Sequence, residues 1–194
     1  MKFDYPSGAT PLDYDESEGL LLTHISTREE LNVFEAANIQ EGMRWAWRSR
    51  SKNMVGERFI RQLHQKMFGD VWKWAGEFRK SNKNIGVPRE MIGIELRHLS
   101  EDVQYWMEHN TYDADEIAAR FHHRLVSIHL FPNGNGRHAR MIADLLLEKK
   151  LGAIRFTWGG RELTEANECR QNYIQALQAA DREDYSRLLE FVRS

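Results

Sequence analysis

The sequence predicts an all-α protein, a helical bundle with one short β-hairpin flap. Three observations predict it. Apolar residues recur at helical spacing along several stretches of ten residues or more. Gly, Pro and Asn concentrate in short breaks between those stretches. Strand-like patterning is confined to residues 79–88 and 153–158. Runs of helical pattern with little strand between them define a bundle rather than an α/β sheet.

Taken in order, residues 1–25 read as an irregular N-terminal arm. Pro6, Gly8 and Pro11 are followed there by the acids Asp13, Asp15, Glu16 and Glu18, a composition that favours turns. Residues 26–194 read as a single domain. Its first helix covers 27–50 and the remainder, 53–194, forms the core. Ser26 or Thr27 can cap the first helix, with Glu29 and Glu30 as capping-box partners. Further helices are expected over 53–68, 89–109, 113–129, 137–149, 164–180 and 184–192. Between them, VWKWAGEF at 71–78 is aromatic and apolar enough to be buried, and RKSNKNIGVP at 79–88 has the turn chemistry of a hairpin excursion.

Bulk properties exclude several functions. A chain of 194 residues with 41% hydrophobic content and net charge -2 is globular, and its charge is wrong for a broadly basic nucleic-acid binder. Its single cysteine, Cys169, forms no internal disulfide. With no signal-peptide pattern or long apolar run, the expectation is a cytoplasmic protein without membrane contact.

The most informative stretch is HLFPNGNGRHAR at 129–140. Pro132 stops the preceding helix. Gly134 and Gly136 allow left-handed backbone and close approach to a ligand. The chain then enters a helix, whose start offers free N–H groups and partial positive charge to an anion such as phosphate. Arg137 and Arg140, three residues apart, can face that anion, and guanidinium suits phosphate oxygens. His129, largely neutral at pH 7, can accept a proton from a hydroxyl. Those are the parts for transferring a phosphate-containing group to a hydroxyl. No GxxxxGK[ST] loop is present, and no strand precedes the glycines, so neither a Walker nor a Rossmann site is indicated.

HLFPNGNGRHAR resembles the signature of Fic-domain proteins, His-x-Phe-x-(Asp/Glu)-Gly-Asn-Gly-Arg-x-x-Arg, at every position but one. LHQKMFGDVWKWAGEFR (63–79) and RQNYIQALQAADREDYSRLLEFV (170–192) resemble further family segments, so the likeness spans most of the chain. The arm GATPLDYDESEGLL (8–21) together with PNGNGRHAR is similar to the subgroup called mobile mystery protein B. The family resemblance implies a protein adenylyltransferase that moves AMP from ATP to a Ser, Thr or Tyr hydroxyl of a target protein. It implies His129 as general base and Phe131 as the loop's anchor. Gly134, Asn135, Gly136, Arg137 and Arg140 would bind the nucleotide phosphates. Asn84, Ile85, Gly86 and Val87 would form a flap that docks the target backbone by strand addition. It also implies a Mg²⁺ or Mn²⁺ ion on the nucleotide and a homodimer. The subgroup implies a small helix-turn-helix partner in a toxin–antitoxin setting.

The one departure is Asn133, which stands where the family has Asp or Glu. Mg²⁺ prefers charged oxygens, so the metal arm is weakened. Another nucleotide or phosphate-group transfer or removal, or a nucleotide-binding interaction module with little catalysis, therefore stays open beside adenylylation. Many Fic proteins also carry an inhibitory helix, (Ser/Thr)-x-x-x-Glu-(Gly/Asn). ANIQEG at 37–42 matches it in part and nominates Glu41. Leu31, Phe34, Asn38, Glu41 and Trp45 share helical spacing, so Glu41 on that stripe would need a partner, and Arg140 is the expected one.

Overall fold

The computed structural model describes residues 12–160, 163 and 168–194. Eight α-helices occur among them: α1 (Tyr14–Ser17), α2 (Arg28–Arg48), α3 (Glu57–Phe68), α4 (Ile92–His109), α5 (Ala114–Ile128), α6 (Asn135–Leu146), α7 (Glu168–Ala180) and α8 (Ser186–Arg193). The described residues form no sheet. The expected start at 164–167 of the helix observed as α7, and residues 1–11 of the arm, lie outside the described residues.

The capping box at the start of α2 forms as the sequence indicates. Thr27 accepts the Glu30 N–H at 3.2 Å, and the Glu30 carboxylate accepts the Thr27 N–H at 3.0 Å. Asp113 caps α5 in the same manner, accepting the Glu116 N–H at 2.8 Å. Each cap satisfies donors that a helix start leaves open.

The buried face of α2 differs from the expected stripe. Its buried residues are Leu31, Glu35, Asn38, Gly42 and Ala46, whereas Phe34 and Glu41 face outward. Gly42 explains the rotation. A Cβ placed on it would lie 2.7–2.8 Å from Met67 atoms of α3, two of them backbone. The two helices therefore meet along small residues, and the large side chains are displaced to the flanks.

Two apolar clusters flank the α5–α6 pair. The larger one draws on α3, α4 and the 71–75 segment, and includes Leu63, Met67, Phe68, Val71 and Trp72. The smaller one joins Phe156, Trp158, Tyr173, Leu188 and Phe191 to Ala118, Ala119 and Ala143. Helix α5 is buried nearly all round, from Ile117 to Ile128, as a helix between two cores must be. The loop joining α5 to α6 is thus held from both sides.

Two strand expectations are corrected. Residues 79–88 form bends with no ladder, and 153–157 carry no regular element. In the first segment one side chain does the work of the missing ladder. The buried Arg79 guanidinium donates to the Ser81, Val87, Ile128 and His129 carbonyls. Backbone acceptors satisfied this way need no partner strand. The arm also has more order than its composition suggests. Beyond α1 it forms an antiparallel bridge, Leu20 to Trp72.

Candidate functional site

The loop begins at His129, the C-cap of α5, in left-handed conformation (φ 57°, ψ 65°). A non-Gly residue persists there only when its surroundings demand it. Those demands are visible. Arg79 Nε donates to the His129 carbonyl at 2.6 Å, and the Arg79 backbone N–H donates to the Leu130 carbonyl at 2.9 Å. Phe131, fully buried, stacks on His64 with ring centroids 3.7 Å apart.

Asn135 closes the turn. Its amide oxygen accepts the Phe131 N–H at 2.9 Å and its amide nitrogen donates to the Phe131 carbonyl at 2.8 Å. The Asn135 side chain is therefore spent on the loop, and what it offers an anion is its backbone N–H. Gly134 is the N-cap of α6 at φ 79°. A Cβ there would lie 2.7 Å from the Phe68 ring, so both conformation and space demand glycine. The first bond of α6 runs from the His138 N–H to the Gly134 carbonyl at 2.9 Å. The amides of Asn135, Gly136 and Arg137 are those a helix start leaves without an intrahelical acceptor.

His129 is only 5% exposed, and among the described residues neither ring nitrogen has a hydrogen-bond partner. Burial, followed by the nearby charges of Arg79 and Lys83, pushes its pKa down to about 4. The ring is neutral at pH 7. Above it lies the 81–87 segment. A Cβ on Gly86 would meet the His129 Cβ at 2.7 Å. Asn84, Ile85 and Gly86 are exposed and Val87 half-buried, its N–H 3.4 Å from the Ile128 carbonyl. The arm ties this segment down. Lys83 Nζ lies 2.7 Å from Asp13 and 2.6 Å from Glu16, and Ser81 donates to Asp13 at 2.5 Å.

The two arginines diverge, contrary to the expectation of a shared anion. Arg137 stands over the Phe68 ring at 4.8 Å and pairs with Glu35 of α2 at 2.7 Å. Arg140 leans toward Tyr173, 5.9 Å from its centroid, with Nη1 3.8 Å from where a Gly136 Cβ would stand. Glu35 is 3% exposed, and its other oxygen accepts the Trp72 indole N–H at 2.6 Å. Glu41 is instead exposed and pairs with its helix neighbour Arg44. The acid that reaches the loop's arginines is Glu35, six residues before the one nominated, and its partner is Arg137 rather than Arg140. Its sequence signal was the spacing Leu31, Glu35, Asn38, Gly42, in which only Leu31 is a large apolar residue.

Three contributors were not singled out from sequence: His64, Arg79 and Glu35. His122 bonds Tyr173 Oη at 2.9 Å, and His138 donates to the Ile60 carbonyl at 2.9 Å. The Asn133 side-chain oxygen accepts the Gly134 N–H at 2.7 Å. Neutral and engaged in this way, it does not fit a Mg²⁺ held by the protein, which seeks charged oxygens.

A neutral imidazole, a glycine-bent loop and a helix start bearing arginines are brought together in one helix–loop–helix unit of an all-helical fold. Residues 55–147 match the Fic/DOC family model, so that segment is similar to Fic-domain proteins. The chain is 28% identical over 147 residues to "Protein adenylyltransferase Fic" of Drosophila mojavensis, covering 67% of this chain and 29% of that protein. The chain thus spans less than a third of that relative's length. In three dimensions it resembles BepC of Bartonella tribocorum, solved with bound AMPPNP, at TM-score 0.69 and 15% identity over 93% of this chain and 97% of that one. It also resembles a fragment of Fic-1 from C. elegans at TM-score 0.64 and 24% identity, over 91% of this chain and 50% of that one. Both structural likenesses concern the fold.

Proposed function

We propose that the protein transfers AMP from ATP to a hydroxyl side chain of a target protein. The observation that carries this reading is the neutral His129 ring, with two nitrogens unpartnered among the described residues, at the lip of a helix start whose first amides lack intrahelical acceptors. The target hydroxyl attacks the α-phosphorus. Its proton passes to a His129 ring nitrogen as the bond to pyrophosphate breaks. A low pKa keeps the base unprotonated beforehand, and an adjacent anionic nucleotide raises its basicity when it is needed. Backbone N–H groups at 135–137, with Arg140, stabilise the phosphate oxygens. The exposed 84–86 edge offers main chain to a target segment.

In this reading Glu35 is a restraint. It holds Arg137 against Phe68 and away from the nucleotide's phosphates. The same observation favours the second reading, a nucleotide-binding module with little turnover, because the folded chain has one arginine engaged and its base covered.

The test is intact-mass spectrometry after incubation with ATP and Mg²⁺ or Mn²⁺, reading self-modification. The expected result is an AMP-sized gain in the Glu35→Gln variant that disappears when His129→Ala is added. ATP binding by calorimetry with no gain in either variant would favour the binding module. Neither binding nor gain would overturn both readings.

A further inference from the structure

His64 lies on α3, fully buried, and touches three parts of the site at once. Its Nδ1 accepts the Gly76 N–H at 3.0 Å. A nitrogen that accepts carries no proton, so the neutral ring must carry its proton on Nε2. Nε2 lies 3.0 Å from the Asn133 carbonyl and donates to it. Burial first, with the nearby Arg137 guanidinium, pushes the His64 pKa well below its ordinary value, so a single neutral tautomer serves both bonds. The ring also stacks on Phe131 and stands 4.7 Å from Phe68, which prevents it from turning.

The consequence follows from the planarity of the peptide bond. In a trans peptide the C=O and the next N–H point in opposite directions. By drawing the Asn133 carbonyl inward, His64 turns the Gly134 N–H outward. That amide now donates to the Asn133 side chain, which acts as a placeholder acceptor on the outer side. Gly76 begins the chain that leads to Arg79 and on to the segment over His129. One imidazole thereby sets the loop's peptide plane and ties it to the base of the flap.

We infer that His64 is a positioning residue of the nucleotide site, whose Nε2–H aims the Gly134 amide at the phosphates. It touches no reacting atom. The inference rests on the nucleotide reading above, but its geometry can be tested without nucleotide.

The first test uses the unmodified protein. Two-dimensional ¹⁵N NMR of the His64 ring should show a protonated Nε2 coupled across a hydrogen bond to the Asn133 carbonyl. A protonated Nδ1 would overturn the inference. The second test separates the two bonds with near-isosteric side chains. His64→Asn keeps an acceptor where Nδ1 stands and loses the donor to Asn133. His64→Gln keeps a donor where Nε2 stands and loses the acceptor for Gly76. Both lose the stack on Phe131, so both melt lower than wild type. His64→Asn should move the Gly134 amide resonance and weaken ATP binding about tenfold, one lost hydrogen bond's worth of affinity. His64→Gln should keep the resonance near its original place and ATP binding within about threefold. Equal damage in both variants, or an unmoved Gly134 amide in His64→Asn, would reduce His64 to a packing residue. If wild-type protein binds no ATP, the nucleotide reading fails, while the NMR results still decide what His64 does to the loop.

Discussion

Replacing Glu35 with Gln should destabilise the fold and sharpen nucleotide binding together. The carboxylate has one oxygen 2.7 Å from Arg137 and the other 2.6 Å from the Trp72 indole nitrogen. Glutamine keeps an oxygen for Trp72 but removes the charge facing Arg137. Breaking a fully buried pair costs about 3–5 kcal/mol. The Arg137 side chain is 20% exposed and can turn to water, which reduces the cost to about 1–2 kcal/mol. For a domain of this size that lowers Tm by about 2–8 °C. Glu35→Ala, which also orphans the Trp72 N–H, adds about 1–3 kcal/mol. The released guanidinium can reach a phosphate, and a charge-assisted bond of about 1.5 kcal/mol tightens ATP about tenfold. The assay is calorimetric titration with ATP alongside thermal melts with and without it. If Glu35→Gln melts like wild type, or melts lower and binds ATP no tighter, then Glu35 does not restrain Arg137 and the reasoning fails.

Acid should weaken the fold early. His129 and His138 are held at about 4, and His122 at about 3, chiefly by burial. Between pH 6.5 and those values the unfolded chain binds protons that the native one refuses, so stability falls with falling pH. Asp144, raised to about 6 by burial, runs the opposite way and offsets part of this. A melt at pH 4.5 should lie more than about 5 °C below one at pH 7, and a flat profile would contradict the buried neutral histidines. The Gly134→Ala variant combines φ 79° with a Cβ 2.7 Å from Phe68. It should lose about 2–4 kcal/mol in a denaturant titration, whereas a loss under about 0.5 kcal/mol would show that the loop relaxes freely. Asn133→Asp should make ATP binding more dependent on Mg²⁺ than in wild type, read by titration with and without chelator. Equal dependence would remove residue 133 from metal binding.

The α5–loop–α6 unit was legible in the sequence because its signals agree. Apolar periodicity runs up to Ile128, Pro132 and two glycines break it, and helical patterning resumes at once. The first helix was legible in extent but not in rotation. Phe34 and Trp45 dominate its pattern, while the true seam is set by Gly42 against the Met67 backbone, and a close contact of that kind leaves no apolar signature. Glu35 was missed for the same reason, since a carboxylate beside Val33 and Phe34 reads as solvated until Arg137 and Trp72 are brought to it from 102 and 37 residues away. The hairpin expectation failed because turn residues at 79–88 suggested strand pairing. Arg79 instead meets the backbone's hydrogen-bonding needs, and no local pattern encodes a side chain that binds carbonyls on both its own segment and α5.

The segment that matches the Fic/DOC family model and the residues that balance its charges differ. Residues 55–147 contain Lys83 and Arg137, but their counterions Asp13, Glu16 and Glu35 all lie upstream. The smaller apolar cluster, which braces α5 and α6 from behind, is completed by residues downstream. Cut out alone, the matched segment would expose the back of its central helix pair and leave two cations beside the loop without their acids. Substitutions upstream of the signature can therefore change the charge beside the loop while the signature itself stays unchanged.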